Sequence, residues 1–336
     1  MESLAGSERT VKRVLVSSRS FGAISQVGKE ILESEGFELL SVPREQRPLT
    51  EAKMTRLAAE SQPEVILCGA EPIGMELLNS SRKLRLIMKH GVGVDNIDMH
   101  AATSLSIAVA NAPGTNTEGV ADLTLALMLD LLRGVCRASA STKTGGWERF
   151  VGHELGALTV GVVGTGRIGA GVVRRLSGFG PKILAFDVVQ QEALISGYGV
   201  CYVSLEELLS RSDLVTLHVP LIDQTRGMIG ASELSLMKPE ACLINAARGE
   251  LVDEQALFKT LKEGGISAAA LDVFSTEPPQ DSPLLTLDNV LATPHIAAYT
   301  FESMDRMGKT CAEIIVDVMA GKTHKNILNP EVLQKH

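Results

Sequence analysis

The sequence predicts an α/β protein built from two parallel-sheet domains, and three observations carry this. Short apolar runs alternate with helical stretches through the first third. The same rhythm restarts after residue 150. A glycine-rich turn stands between a strand and a helix at the head of the second series.

In the first series, strand-like runs fall at 14–16, 38–40, 65–67, 86–88 and 107–110, with helical spacing at 25–35 and 51–59. Strand, helix and strand in repetition imply a parallel sheet covered on both faces. The second series places strands at 160–163, 183–186, 214–217, 242–244, 269–271 and 290–292. A length of 336 residues suits two domains. Between the series, Thr115-Asn116-Thr117-Glu118 fits a capping box, in which the Thr hydroxyl and the Glu carboxylate satisfy free N–H groups at a helix start. The helix that follows is apolar nearly all round. Both of its faces are expected to be buried, in a core or across a domain or dimer boundary.

The composition narrows the partners. Hydrophobic residues make up 45% and charged residues 21%, which supports packed cores. The net charge is −8 with no basic block, so neither nucleic acid nor an acidic membrane surface is an expected partner. The most apolar stretch, near 120–132, is broken by Asp122 and Asp130, which argues against a membrane span. Five cysteines without CxxC spacing read as reduced thiols in the cytoplasm, and no metal is called for. Residues 1–10 lack the basic start and apolar run of a signal peptide.

Gly164-Thr165-Gly166-Arg167-Ile168-Gly169 is the glycine turn. Its context, between strand and helix, is what a dinucleotide site requires. The first glycine permits the tight turn, the second admits the pyrophosphate to the backbone, and the third lets helix and strand pack closely. The helix N-terminus faces the phosphate charge. Asp187 closes the next strand, roughly 20 residues on, where a carboxylate accepts both adenosine-ribose hydroxyls. Val188 and Val189 follow it, so nothing offsets the repulsion of an added 2′-phosphate. NAD is therefore expected over NADP.

Three chemically capable side chains follow the ends of later strands: Arg248 in Asn245-Ala246-Ala247-Arg248-Gly249, Glu277 in the run from Asp272, and His295 after Pro294. Ligand crevices of open parallel sheets lie at these ends. Arg can hold a carboxylate and polarise a reacting oxygen. His can take a hydroxyl proton and return it. A carboxylate behind the imidazole fixes its tautomer and favours imidazolium. A second glycine loop, His90-Gly91-Val92-Gly93-Val94-Asp95-Asn96, could offer backbone N–H groups to a substrate carboxylate or be an ordinary tight turn.

These motifs, with His218-Val219-Pro220 and Leu271-Asp272-Val273-Phe274, resemble the D-2-hydroxyacid dehydrogenases. Within that family they are most like the phosphoglycerate dehydrogenases without C-terminal regulatory domains. The resemblance implies two Rossmann- or flavodoxin-like domains, an NAD-binding domain over 110–302 inserted into a substrate domain of 1–109 and 303–336. It implies Arg248, Glu277 and His295 as the catalytic set and hydride transfer between NAD(H) and a 2-hydroxy or 2-oxo acid. Asp272 would lie near the nicotinamide carboxamide. His218, Pro220, Thr225, Ala246 and Ala247 would line the cofactor site, and Lys89, Gly91, Val92, Gly93 and Arg248 would bind substrate. A homodimer through the 115–147 arm is implied as well. Two alternatives stand beside this: a glyoxylate or hydroxypyruvate reductase, and an NAD-sensing corepressor-like binding protein.

The substrate tail is a separate question. Phosphoglycerate dehydrogenases tend to carry Arg after the third strand, where this chain has Cys68-Gly69-Ala70-Glu71-Pro72. Arg44, Arg47 and Lys89 are the available substitutes. The expectation is a hydroxylated or uncharged tail in preference to phosphate, with Glu71→Arg favouring the phosphorylated substrate.

Overall fold

The computed structural model describes residues 12–46 and 49–335. The chain divides into two compact units, Met1–Asn116 with Phe301–His336, and Thr117–Thr300.

The first unit is built on five parallel strands: β1 (Lys12–Val16), β2 (Phe37–Ser41), β3 (Val65–Cys68), β4 (Leu86–Lys89) and β5 (Ala108–Ala110), in the order β2-β1-β3-β4-β5. β3 and β4 are buried along their whole length, which is why they read as unbroken apolar runs. Leu15, Ile66, Ile87 and Val109 form the middle of this core. The helix Phe301–Met319 belongs to this unit and packs on Val27–Ser34. Gly28 and Gly308 set that approach, since a Cβ on Gly28 would strike the Gly308 carbonyl. Leu328 N–H donates to Val109 O at 2.8 Å, and Ile327 bridges Ala110, so the chain's last segment is tied to β5.

The second unit holds seven parallel strands: β6 (Thr159–Val163), β7 (Lys182–Phe186), β8 (Cys201–Tyr202), β9 (Leu214–Leu217), β10 (Cys242–Asn245), β11 (Ala268–Leu271) and β12 (Val290–Ala292). Their order is β12-β11-β10-β9-β6-β7-β8, so the winding reverses between β6 and β9. β8 is the strand that periodicity misses. It spans two residues at the sheet edge, too short for alternation to register.

The helix Thr117–Arg133 packs its Ala121, Leu125, Met128 and Leu132 with Val172 and Leu176, and its Val120 with Ala246 and Ala297. Leu123, Leu129 and Leu131 are only partly covered, and Asp122 and Ala126 are exposed. The expected capping box does not form. Thr115 donates its hydroxyl to Ala112 O at 2.8 Å, and Glu118 is drawn to Arg174 and Arg175 at 2.7 Å. Two guanidiniums compete better for a carboxylate than a single backbone N–H.

Candidate active site

The glycine turn follows β6. Gly164 has φ +90°, and a Cβ there would lie 2.8 Å from His218 and Val219 atoms, so only glycine fits. A Cβ on Gly169 would strike the Gly164 carbonyl, while one on Gly166 would meet open space. The three glycines thus play the three parts that a pyrophosphate cradle requires, at the start of the helix Arg167–Leu176. Asp187 stands just past β7. Its Oδ2 accepts from Thr165 N–H at 2.6 Å and its Oδ1 from Val189 N–H at 3.1 Å. Burial pushes its carboxyl up, but the N–H groups of Thr165, Val189 and Val188 and the Thr165 hydroxyl outweigh that and hold it below the usual carboxylate range. These residues fit a dinucleotide with free ribose hydroxyls.

A residue outside the sequence motifs supports this loop. Tyr202, on β8, donates its hydroxyl to Thr165 Oγ1 at 2.9 Å and accepts Gln191 N–H at 3.1 Å. Gln191 in turn donates to Thr165 O. The fully buried Thr165 is thereby fixed on three sides, and Asp187 with it. An aromatic hydroxyl on a two-residue edge strand carries no pattern that would have marked it.

His218 follows β9, and its Nε2 lies 3.0 Å from Thr216 Oγ1. The residue as a whole is partly exposed, but its Nδ1 is sealed and has no hydrogen-bond partner among the described residues. Burial pulls the ring down to about 3, so it is neutral at physiological pH. Thr225 closes the turn after Pro220 by donating to Pro220 O at 2.6 Å and accepting from Ile222 N–H.

The three candidate catalytic residues follow β10, β11 and β12, which are neighbours in the sheet. Asn245 shapes the first loop by donating to Arg248 O at 2.8 Å and accepting Ala247 N–H at 3.1 Å. Gly249 must be glycine, because a Cβ there would strike the backbone of Phe274 and Ser275. Glu277 Oε2 lies 2.8 Å from His295 Nδ1, and its Oε1 accepts Phe274 N–H at 3.2 Å. Burial raises the Glu277 carboxyl, yet the bond and charge of His295, the Phe274 N–H and the Arg248 charge together hold it below the usual value. A carboxylate at Nδ1 places the ring proton there and leaves Nε2 as the basic nitrogen.

His295 itself has φ +53°, a conformation that non-glycine residues adopt mainly where the surroundings enforce it. Asp272 enforces it. Its carbonyl accepts His295 N–H at 2.8 Å. Its carboxylate, 0% exposed, accepts Thr293 Oγ1 at 2.6 Å, Ile296 N–H at 2.8 Å and Ala297 N–H at 2.9 Å. Three of roughly four acceptor positions are spent on the histidine loop, so the observed work of Asp272 is to hold that loop.

In the first unit, Gly91 O accepts Ala112 N–H and Val92 O accepts Asn111 Nδ2. The N–H groups of Gly91, Val92 and Gly93 have no acceptor among the described residues. Lys89 is 7% exposed and spends its ammonium on Gly69 O and Asn96 Oδ1, each at 2.6 Å. It ties two loops together, where the sequence suggested a substrate ligand. Position 68 still supplies no charge to a substrate tail, but Glu71 does not face one. Cys68 is 0% exposed, its side chain in the hydrophobic core, and burial pushes its thiol up to about 12. Glu71 turns back to accept Gly69 N–H at 2.6 Å and the Ser17 hydroxyl at 3.3 Å. Arg47 lies outside the described residues, as does the side chain of Arg44.

A glycine cradle at a helix start, an ionised carboxylate beyond the next strand and a parallel sheet that reverses beside them define a dinucleotide-binding protein. Residues 125–297 match the family model described as D-isomer specific 2-hydroxyacid dehydrogenase, NAD binding domain. A D-3-phosphoglycerate dehydrogenase of Methanocaldococcus jannaschii is 44% identical over 291 residues, 85% of this chain and 55% of that protein. A glyoxylate reductase of Korarchaeum cryptofilum is 43% identical over 79% of this chain and 82% of that one. The crystal structure of a D-lactate dehydrogenase from Aquifex aeolicus, complexed with NAD and lactic acid, superposes with a TM-score of 0.83 at 31% identity, covering 95% of this chain and 99% of that chain. The chain belongs to the D-isomer specific 2-hydroxyacid dehydrogenase family. It spans about half the length of the phosphoglycerate dehydrogenases it matches.

Proposed function

We propose that this protein is an NAD-dependent oxidoreductase acting on a D-2-hydroxy or 2-oxo acid. The observation that carries the proposal is the Glu277–His295 pair, 2.8 Å apart on a loop that Asp272 clamps, within the NAD binding domain. The second unit supplies the nucleotide site, with Gly164, Thr165, Gly166, Arg167, Ile168, Gly169 and Asp187 as its contacts. NAD, when bound, accepts or delivers the hydride.

In the oxidation direction, His295 Nε2 takes the hydroxyl proton as the carbinol hydrogen leaves as hydride. Glu277 holds Nδ1 and stabilises the imidazolium that forms. Arg248 grips the substrate carboxylate and the reacting oxygen through paired N–H donors. The N–H groups of Gly91, Val92 and Gly93, without acceptors among the described residues, are suited to a carboxylate. In reduction, His295 returns the proton to the new alkoxide. Asp187 favours NAD over NADP by charge repulsion.

In the arm after Arg133, the helix Val135–Lys143 buries none of its residues, Trp147 is 78% exposed and Val151 wholly exposed. Apolar side chains left in water on one segment support a homodimer through that arm. All five cysteines are free, which suits the cytoplasm. Among the described residues no helix is long and apolar enough to cross a membrane.

The test is NADH consumption with glyoxylate, hydroxypyruvate and pyruvate, and NADH formation with D-glycerate and 3-phosphoglycerate. Turnover with at least one acid supports the dehydrogenase reading, and its best substrate decides between dehydrogenase and reductase roles. Tight NADH binding with no turnover on any of them would replace it with the sensing role.

A further inference from the structure

The five-stranded sheet reverses its winding between β1 and β3, and an open α/β sheet takes its ligand outside the carboxyl ends of the strands at such a point. The segments leaving those two ends are 17–20 and 69–71. They lie against each other: Ser17 and Ser18 N–H both donate to Leu67 O, at 3.0 and 3.2 Å, and a Cβ on Gly69 would sit 3.5 Å from Ser18 Cα.

The first segment is held firmly. Ser18 Oγ and Ser20 Oγ lie 3.2 and 2.9 Å from the same atom, His90 Nδ1, and His90 is packed edge-on against Phe21 with ring centroids 5.5 Å apart. Arg19 stands between those two serines. It is exposed and has no hydrogen bond or ion pair among the described residues. The neighbouring charges are committed elsewhere: Lys89 to Gly69 O and Asn96, and Glu71 to Gly69 N–H and Ser17. A guanidinium on a rigid loop at a ligand-binding switch point, with its neighbours' charges already engaged, is a receptor for an oxyanion.

We propose that Arg19 is the specificity residue that reads an anionic group on the substrate's third carbon. This rests on the dehydrogenase reading above. The substrate class is then a 2-hydroxy acid bearing a second anion, as phosphate ester, sulfonate or carboxylate. Arg19 supplies from β1 the positive charge that the side chain at position 68, sealed in the core, cannot supply from β3.

The experiment measures kcat/KM on 3-phosphoglycerate, sulfolactate, D-malate and D-glycerate for the wild type, Arg19→Ala and Arg19→Lys, with circular dichroism to confirm folding. The wild type is expected to favour at least one of the three acids bearing a second anionic group over D-glycerate by about tenfold or more, a span that one charged hydrogen bond can supply. The preferred member identifies the anion. Arg19→Ala should collapse that ratio, through KM rather than kcat, and Arg19→Lys should restore part of it. A wild type that prefers D-glycerate, or a ratio that Arg19→Ala leaves intact, overturns this inference while the dehydrogenase reading stands. Absence of turnover that depends on His295 with every acid overturns the dehydrogenase reading and this inference with it.

Discussion

The buried Asp272 carboxylate accepts the backbone N–H of Ala297 at 2.9 Å. With the matching bonds to Ile296 and Thr293, that contact fixes the backbone on both sides of His295. Asp272→Asn replaces one acceptor oxygen by a donor and turns it toward a group that also donates. A buried donor left unsatisfied costs about 1–3 kcal/mol. The variant should melt lower, and kcat should fall roughly tenfold or more as the histidine loses its fixed position. Unchanged kcat and unchanged melting temperature together would contradict the positioning role.

Asp187 and Tyr202 make a paired prediction about the cofactor. Because the Asp187 carboxyl is held below the usual range, it is ionised throughout the working pH range and repels a 2′-phosphate. Wild-type kcat/KM should be far higher with NAD than with NADP, and Asp187→Ala should narrow the gap. Tyr202→Phe removes the hydroxyl that fixes Thr165 and Gln191, so NADH should bind several-fold more weakly by fluorescence titration. Comparable use of NAD and NADP by the wild type would refute the Asp187 argument.

How far these residues could be read from the sequence differs for physical reasons. Gly164, Gly166 and Gly169 were legible because each glycine answers a separate local demand, and local demands leave a fixed spacing. That Arg248, Glu277 and His295 stand past the ends of neighbouring strands is legible because parallel strands bring their carboxyl ends to one side. Tyr202 was not, because its partner Thr165 is remote in the chain and β8 is too short to show a period. Arg19 was missed for a related reason. Its meaning comes from β1 lying beside β3, and strand order is not written in the alternation of either strand. The direction of Glu71 is not legible in the sequence because it is set by the turn, and here the turn claims the carboxylate.

Glu71→Arg removes the acceptor for Gly69 N–H and Ser17 and places a cation in a nearly buried position. It should destabilise the protein measurably in urea, with a loss on the order of 1–3 kcal/mol, and should not improve activity on a phosphorylated acid. A stable variant that is faster on 3-phosphoglycerate would show that Glu71 does face the substrate.

Stability should also fall in mild acid. Burial lowers His90 to about 4, with the Lys89 charge adding to it, and burial lowers His218 to about 3. Below the ordinary histidine value near 6.5, the unfolded chain takes up protons that the folded one refuses. Each ring then costs up to roughly 1.4 kcal/mol per pH unit as pH drops from 6.5 toward 4. Urea unfolding at pH 7 and pH 5 should show that loss, and His218→Gln should remove part of the slope. Equal stability at both values would mean the rings are not buried as neutral groups.

Glu277→Gln separates orientation from binding. The pair with His295 depends on the ionised carboxylate, which persists well into acid because Glu277 titrates below its usual range. An amide still meets Nδ1–H through its oxygen but no longer stabilises imidazolium. The variant should keep its KM for NAD and lose roughly 10- to 100-fold in kcat, with the acid limb of its pH–rate profile displaced. A profile that superposes on the wild type would remove Glu277 from the proton-transfer step.

The central claim is that His295 carries the substrate proton in an NAD-linked oxidation. The most direct measurement is kcat of His295→Ala on the best wild-type substrate, taken with NADH affinity by fluorescence titration on the same preparation. The account predicts intact NADH binding and a kcat lowered by about 10²–10⁴-fold. Near-wild-type turnover in that variant would contradict it.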